Sequence, residues 1–247
     1  MARDQFGNYV PSATPAPSWG IQDLEVSWEP PGIELGDLLG YGAWGSLPGI
    51  TKLVFGGESS ICGFDIEDAD DLIELDFPNL LSIDPADLVG GKLGCSYNSS
   101  LVTISAPKLV MVDDDLYIYS NAALVTLGLP LLTLVGGDFD CDDNAALVTL
   151  DLPSLVTVYW DFYCDWNPLL ENVNLPEWIP TDGRWIDFSS CALTAASVEQ
   201  ILRRCVLAGA TTCTIDLSGG TNAGTASLSP QGQADVATLG GQLTINA

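Results

Sequence analysis

NSSLVTISAPKLVMV (98–112), NAALVTLGLPLLTLV (121–135), NAALVTLDLPSLVTV (144–158) and NPLLENVNLPEWIP (167–180) are one phrase written four times. Asn98, Asn121, Asn144 and Asn167 open the four phrases at a constant spacing of 23 residues. A fixed period of this size marks a repeat architecture, whose units are too small to bury an apolar face alone and must stack on their neighbours. Ahead of each Asn stands a short alternating segment: Leu93-Gly94-Cys95, Leu116-Tyr117-Ile118, Phe139-Asp140-Cys141 and Phe162-Tyr163-Cys164. The two-residue period predicts a strand whose first and third side chains point inward. After the Asn, Leu or Ile recurs three and six residues on, and Pro107, Pro130, Pro153 and Pro176 follow. Proline cannot donate to a central ladder, so this return is expected to be a turn or a weakly paired edge. The four Asn side chains are expected to form a buried ladder that satisfies backbone groups where the chain leaves each strand.

The phrase L-x-I-x-x-N-x-x-L-x-x-L-x-L-P-x-L-x-x-V, present from 116 to 135, resembles the leucine-rich repeats of receptor L-domains and of related bacterial and fungal surface proteins. The resemblance covers roughly 64 to 187 and implies an α/β repeat fold, a leucine-rich-repeat-like solenoid of short parallel strands. It says little about function, because the matched residues are the ones expected to be buried. Earlier in the chain the repeat is looser. Leu72, Leu75, Pro78, Leu80 and Ile83 match Leu101, Ile104, Pro107, Leu109 and Val112 at an offset of 29, and the extra residues are placed as a loop in 84–91. Beyond 187, residues 193–202 read as a capped helix, 212–217 as a strand, 229–239 as a second helix and 242–246 as a last strand. The domain reading is therefore an N-terminal docking arm at 1–45, a solenoid at 46–190 and a helix-strand-helix-strand cap at 191–247.

Residues 1–45 are rich in Pro and Gly and carry Trp19, Trp28 and Trp44, aromatics expected to dock on the chain's own repeats or on a partner subunit. The opening MARDQFGNYVPS resembles the first residues of bacteriophage tail-fibre and related virion proteins. The helix-strand-Ser-Gly-Gly-Thr-Asn ending is similar to that of phage and bacterial repeat proteins. These likenesses imply a virion protein that contacts other virion proteins or itself.

Seven Lys+Arg against 33 Asp+Glu give a net charge of −26, which disfavours nucleic acid as a partner because no basic surface is present to displace counterions. There is no His, so Ser-His and Cys-His catalysis within the chain is excluded. None of the seven cysteines forms a CxxC pair. Three of them fall in the inward strand column as small apolar filler, and no disulfide framework is visible, which suits a reducing compartment. No uninterrupted apolar run approaches the length of a membrane span, and the N-terminus lacks a hydrophobic signal core, so neither membrane insertion nor ordinary secretion is expected.

Function is expected on the outward side chains, which differ from unit to unit. The outward positions are Gly94 and Ser96, then Tyr117 and Tyr119, Asp140 and Asp142, and Tyr163 and Asp165, with Trp166 beside them. Aromatic rings that can stack on the C–H faces of sugars alternate with carboxylates that accept hydroxyl hydrogen bonds. The alternative is a solvated sheet face with β-favouring tyrosines. A second column, Asp115, Asp138 and Asp161, stacks like charges at the strand entrance and invites calcium, the one cofactor considered; otherwise these are turn-forming aspartates that bond their own backbone. The preferred function is a non-catalytic virion attachment protein facing a host-surface glycan or protein. Two alternatives stand beside it: a bacterial cell-surface adhesion protein, and a polysaccharide depolymerase drawing a carboxylate pair from Asp140, Asp142, Asp161 and Asp165.

Overall fold

A computed structural model describes residues 2–3, 9–10, 22–26, 50–55, 60–61, 63–84, 91–210 and 212–246. Trp19, Trp28, Trp44, Cys62 and most of the 84–91 loop lie outside the described residues. The fold is α/β, with many short parallel strands and few helices. The units beginning at Leu93, Leu116 and Phe139 contribute three strands each, as in Leu116–Tyr117, Thr126–Gly128 and Leu134–Val135. Each pairs in parallel with its counterpart one unit away: Leu116 with Phe139, Thr126 with Thr103, Val135 with Val112. Equal spacing in sequence thus becomes equal height in the stack, about 4.8 Å per unit.

Three columns of strands result. The longest is an eight-stranded sheet running from Phe64–Glu67 to Leu243–Ile245. The second holds five strands from Gln22–Val26 to Thr126–Gly128, and Thr149–Asp151 with Asn172–Asn174 continue the series as a separate pair. The third holds five strands from Ser60–Ile61 to Thr157–Val158. The proline-bearing return is therefore more regular than expected. Pro107 and Pro130 sit in the turns between the second and third sheets, so their missing N–H groups cost the ladders nothing.

Leu116, Ile118, Leu124, Leu127, Leu129, Leu132 and Val135 of one unit all point into a continuous core. The inward strand column ends in aromatic stacking: Phe139 on Phe162 with ring centroids 4.5 Å apart, and Phe162 on Phe188 at 5.2 Å. Such pairs add about 0.5–1.5 kcal/mol each beyond the area they bury. The six described cysteines are free and buried.

The Asn ladder forms as expected. Asn121, Asn144 and Asn167 each accept the backbone N–H of the preceding Asn, at 3.1, 3.0 and 2.8 Å, and Asn98 accepts that of Ala69 at 2.9 Å. Their amide groups donate to carbonyls of their own strand and of the one before, as Asn144 does to Cys141 at 3.0 Å and Ile118 at 2.7 Å. Two further rungs complete the series. Cys191 stands in the Asn position and donates its thiol hydrogen to Cys164 O at 3.2 Å, and Asn222 accepts Leu193 N–H at 2.8 Å and donates to Phe188 O at 2.8 Å. Burial pushes the Cys191 thiol up to about 12, which keeps it a hydrogen donor. The residues just before Ala69, the four ladder asparagines and Cys191 turn the chain through the left-handed region: Asp68, Tyr97, Ser120, Asp143, Trp166 and Ser190 all have φ between 49° and 59°.

Helix α1, Ala195–Ala208, starts at Thr194, whose side chain accepts Ser197 N–H, and stops at Gly209 with φ 65°. It closes the stack where the second column ends. Ser197 Oγ accepts Val173 N–H at 3.0 Å and donates to Glu171 O at 2.9 Å, and Gln200 Oε1 accepts Leu175 N–H at 2.8 Å. These side chains occupy the hydrogen-bonding groups that a further strand would otherwise pair. Helix α2, Pro230–Leu239, capped by Ser229, is tied to α1 by Arg203 and the buried Asp235 at 3.3 Å. Among the described residues no helix is long and apolar enough to cross a membrane.

Candidate functional site

The outward face of the eight-stranded sheet carries two parallel columns of side chains. In register along the first are Asp65, Gly94, Tyr117, Asp140, Tyr163, Asp187 and Asp216. Two residues further along each strand come Glu67, Ser96, Tyr119, Asp142, Asp165, Ser189 and Ser218. Gly94 and Ser96, expected on the outward face, are buried. Asp65 leans across Gly94 so closely that a Cβ there would lie 2.2 Å from its Oδ1. Only glycine leaves room for the Asp65–Lys92 ion pair at 2.6 Å.

Each aspartate of the Asp115, Asp138 and Asp161 column spends a carboxylate oxygen on the backbone. Asp115 Oδ1 accepts Asp138 N–H at 2.8 Å, Asp138 Oδ1 accepts Asp161 N–H at 2.9 Å, and Asp161 Oδ1 accepts Trp185 N–H at 2.8 Å. The other oxygen of Asp161 accepts the Tyr163 hydroxyl at 3.0 Å. Each carboxylate is thus committed to the backbone of the next unit. Among the described residues no group of three or more acidic or cysteine side chains is placed to hold a metal ion. These aspartates do for the strand entrance what the asparagines do for its exit.

Between these ladders the surface is hollowed. Tyr97, Tyr119 and Trp166 wall an open depression of about 560 Å³ whose polar lining is Asp140, Asp142, Asp143 and Ser120. A second depression of about 400 Å³ adjoins it and shares Asp140 and Asp142; Tyr163, Asp165, Trp185 and Asp187 complete it. Tyr97 and Trp166 expose half or more of their surface, at 50% and 63%, and Tyr119 holds Tyr97 edge-on at 5.3 Å. A tryptophan at positive φ is a rare placement for a bulky residue, and it swings the Trp166 ring onto the rim.

The carboxyl groups here are shifted together. Burial, and then the charge of Asp142, pushes Asp140 up to about 7, while the Asp142 N–H donates to Asp140 Oδ1 at 3.2 Å. Burial and the Asp187 charge push Asp165 up to about 6. Burial and the Asp143 charge raise Asp142 as well. Tyr163 and Tyr117 are held well above the usual phenol value, first by burial and then by hydrogen bonds to Asp161 and Asp115.

Of the residues singled out in the sequence, Tyr119, Asp140, Asp142 and Trp166 meet in the first hollow, and Tyr163 and Asp165 join the shared aspartates in the second. Tyr117 lines neither of these two; it turns toward Asp115. Tyr97, Asp143, Trp185 and Asp187 were not singled out. Tyr97 and Asp143 occupy the position just before the ladder Asn, so the same 23-residue spacing contained them; Asp187 lies 24 residues after Tyr163, where a strict period misses it. No family model matches the chain, and neither a curated protein nor a solved structure does.

Proposed function

We propose that this chain is a non-catalytic recognition protein, a leucine-rich-repeat-like solenoid whose Tyr/Trp/Asp face binds a host-surface glycan. The observation that carries the reading is the open depression lined together by the exposed rings of Tyr97 and Trp166 and the carboxyl groups of Asp140 and Asp142. Ring faces offer apolar stacking to a sugar's C–H groups, and buried-edge carboxylates accept its hydroxyls; concave sites with a few convergent polar groups are where small ligands bind. The setting we propose is a virion, with the N-terminal segment making assembly contacts; this rests on the likeness of the two ends to phage proteins. Two measurements test these parts separately. Glycan-array binding is expected for the wild type and weakened in Trp166→Asn, a substitution that tolerates the left-handed backbone while removing the ring. Light scattering on native material is expected to find the chain in a megadalton particle; a free monomer would sink the virion setting and leave the glycan reading standing.

A second reading, polysaccharide hydrolysis, is favoured by one observation: Asp140 is held at about 7 beside other carboxylates. A carboxyl that keeps its proton near neutrality is what a general acid needs, with a neighbouring carboxylate as base or nucleophile. Release of reducing ends from a bound glycan, abolished in Asp140→Asn, would establish this reading. Binding without release is the outcome expected of a recognition protein.

A further inference from the structure

Resting on the glycan reading of this face, we infer that its ligand carries free amino groups, so that ring stacking on Trp166 and Tyr97 places an ammonium against the Asp140–Asp142 pair. The two hollows adjoin through that pair, and every charged residue lining them is an aspartate: Asp140, Asp142 and Asp143 in one, Asp165 and Asp187 in the other. The cations nearby are engaged elsewhere. Lys92 pairs with Asp65 at 2.6 Å, and Arg184 lies over the Trp160 ring at 4.3 Å. From 109 to 183 the chain has no Lys or Arg at all. Carboxylates one strand apart in a partly desolvated hollow repel one another, and the upward shifts of Asp140, Asp142 and Asp165 express that repulsion together with burial.

A ligand ammonium relieves the repulsion with charge-assisted hydrogen bonds, whereas a uronate or sialate carboxylate adds to it. A neutral glycan gains the stacking alone. The face therefore discriminates by charge at its centre and by ring contact at its rim, and the five stacked units from Tyr97 to Asp187 span about 19 Å at the usual strand spacing, room for more than one sugar ring.

The test compares oligomers of equal length, glucosamine, N-acetylglucosamine and galacturonate, by calorimetry at about pH 6 and 0.15 M salt, where surface charge is screened beyond about 8 Å. The glucosamine oligomer is expected to bind about tenfold more tightly than the acetylated one, the factor one added charge-assisted contact supplies, and galacturonate not to bind. The double variant Asp140→Asn/Asp142→Asn is expected to bring the amine and acetyl forms level, and Trp166→Asn to weaken both. Equal binding of the two forms by the wild type overturns the amine assignment and leaves the glycan reading intact. Amine binding that survives Trp166→Asn unchanged overturns it too, because it is then general adsorption to an acidic surface. If no oligomer binds, both readings fall.

Discussion

The Asn144 side chain ties its own unit to the one before, accepting from Asn121 N–H and donating to carbonyls of its own strand and the preceding one. Asn144→Ala strands these buried groups, and the expected loss is about 1–3 kcal/mol, read as a lower urea midpoint. An unchanged midpoint would mean that water or a relaxed backbone replaces the amide. Asp140 makes the opposite kind of contribution. Its folded value of about 7 stands above the ordinary carboxyl value near 4, so the folded state binds the proton more tightly. The associated stability is complete below about pH 4 and is lost as pH rises through about 7. Asp142 and Asp165 act in the same sense. Asp140→Asn is therefore expected to raise the melting temperature at pH 8 and leave it nearly unchanged at pH 4. A variant equally stable at both would show that the hollow remains hydrated enough to bear the charge.

At the scale of elements, the closing of the second column by α1 depends on two side chains, Ser197 and Gln200, reaching the N–H groups of Val173 and Leu175. A helix cannot extend a parallel ladder through its own backbone, whose donors and acceptors are already used, so its side chains must take over. Ser197→Ala leaves Val173 N–H without its acceptor, while Glu171 O keeps the Thr194 N–H at 3.0 Å, and about 1–3 kcal/mol of destabilisation is expected, with faster amide exchange at Val173 as the local signature. The helices were legible in the sequence because Thr194 and Ser229 are strong caps and Val198, Ile201, Leu202 and Cys205 keep helical spacing. The strands of the second and third sheets were not. Two or three residues are too few for an alternating pattern to declare itself, and pairing partners in the neighbouring units make them strands.

Across the whole molecule a net charge of −26 bears on a stack that places like residues at like positions. Self-repulsion of this kind destabilises the compact state and is screened by salt. Raising sodium chloride from about 0.05 to 0.5 M is expected to raise the melting temperature, with the gain reduced in Asp140→Asn/Asp142→Asn. A salt-independent transition would indicate that the aspartates are neutralised by proton sharing and backbone N–H groups alone. By itself the sequence determined the 23-residue unit, the inward strand column, the Asn ladder and the capping helices, because each follows from periodicity or from a local hydrogen-bonding need that a single unit already displays. Only the tertiary structure decided that Asp115, Asp138 and Asp161 accept backbone N–H groups of the next unit, that Cys191 and Asn222 continue the ladder across irregular spacings, and that Tyr97 and Trp166 line one depression with Asp140 and Asp142. Those outcomes depend on which side chain lies one strand away in space, and stacking fixes that distance only after the chain has folded.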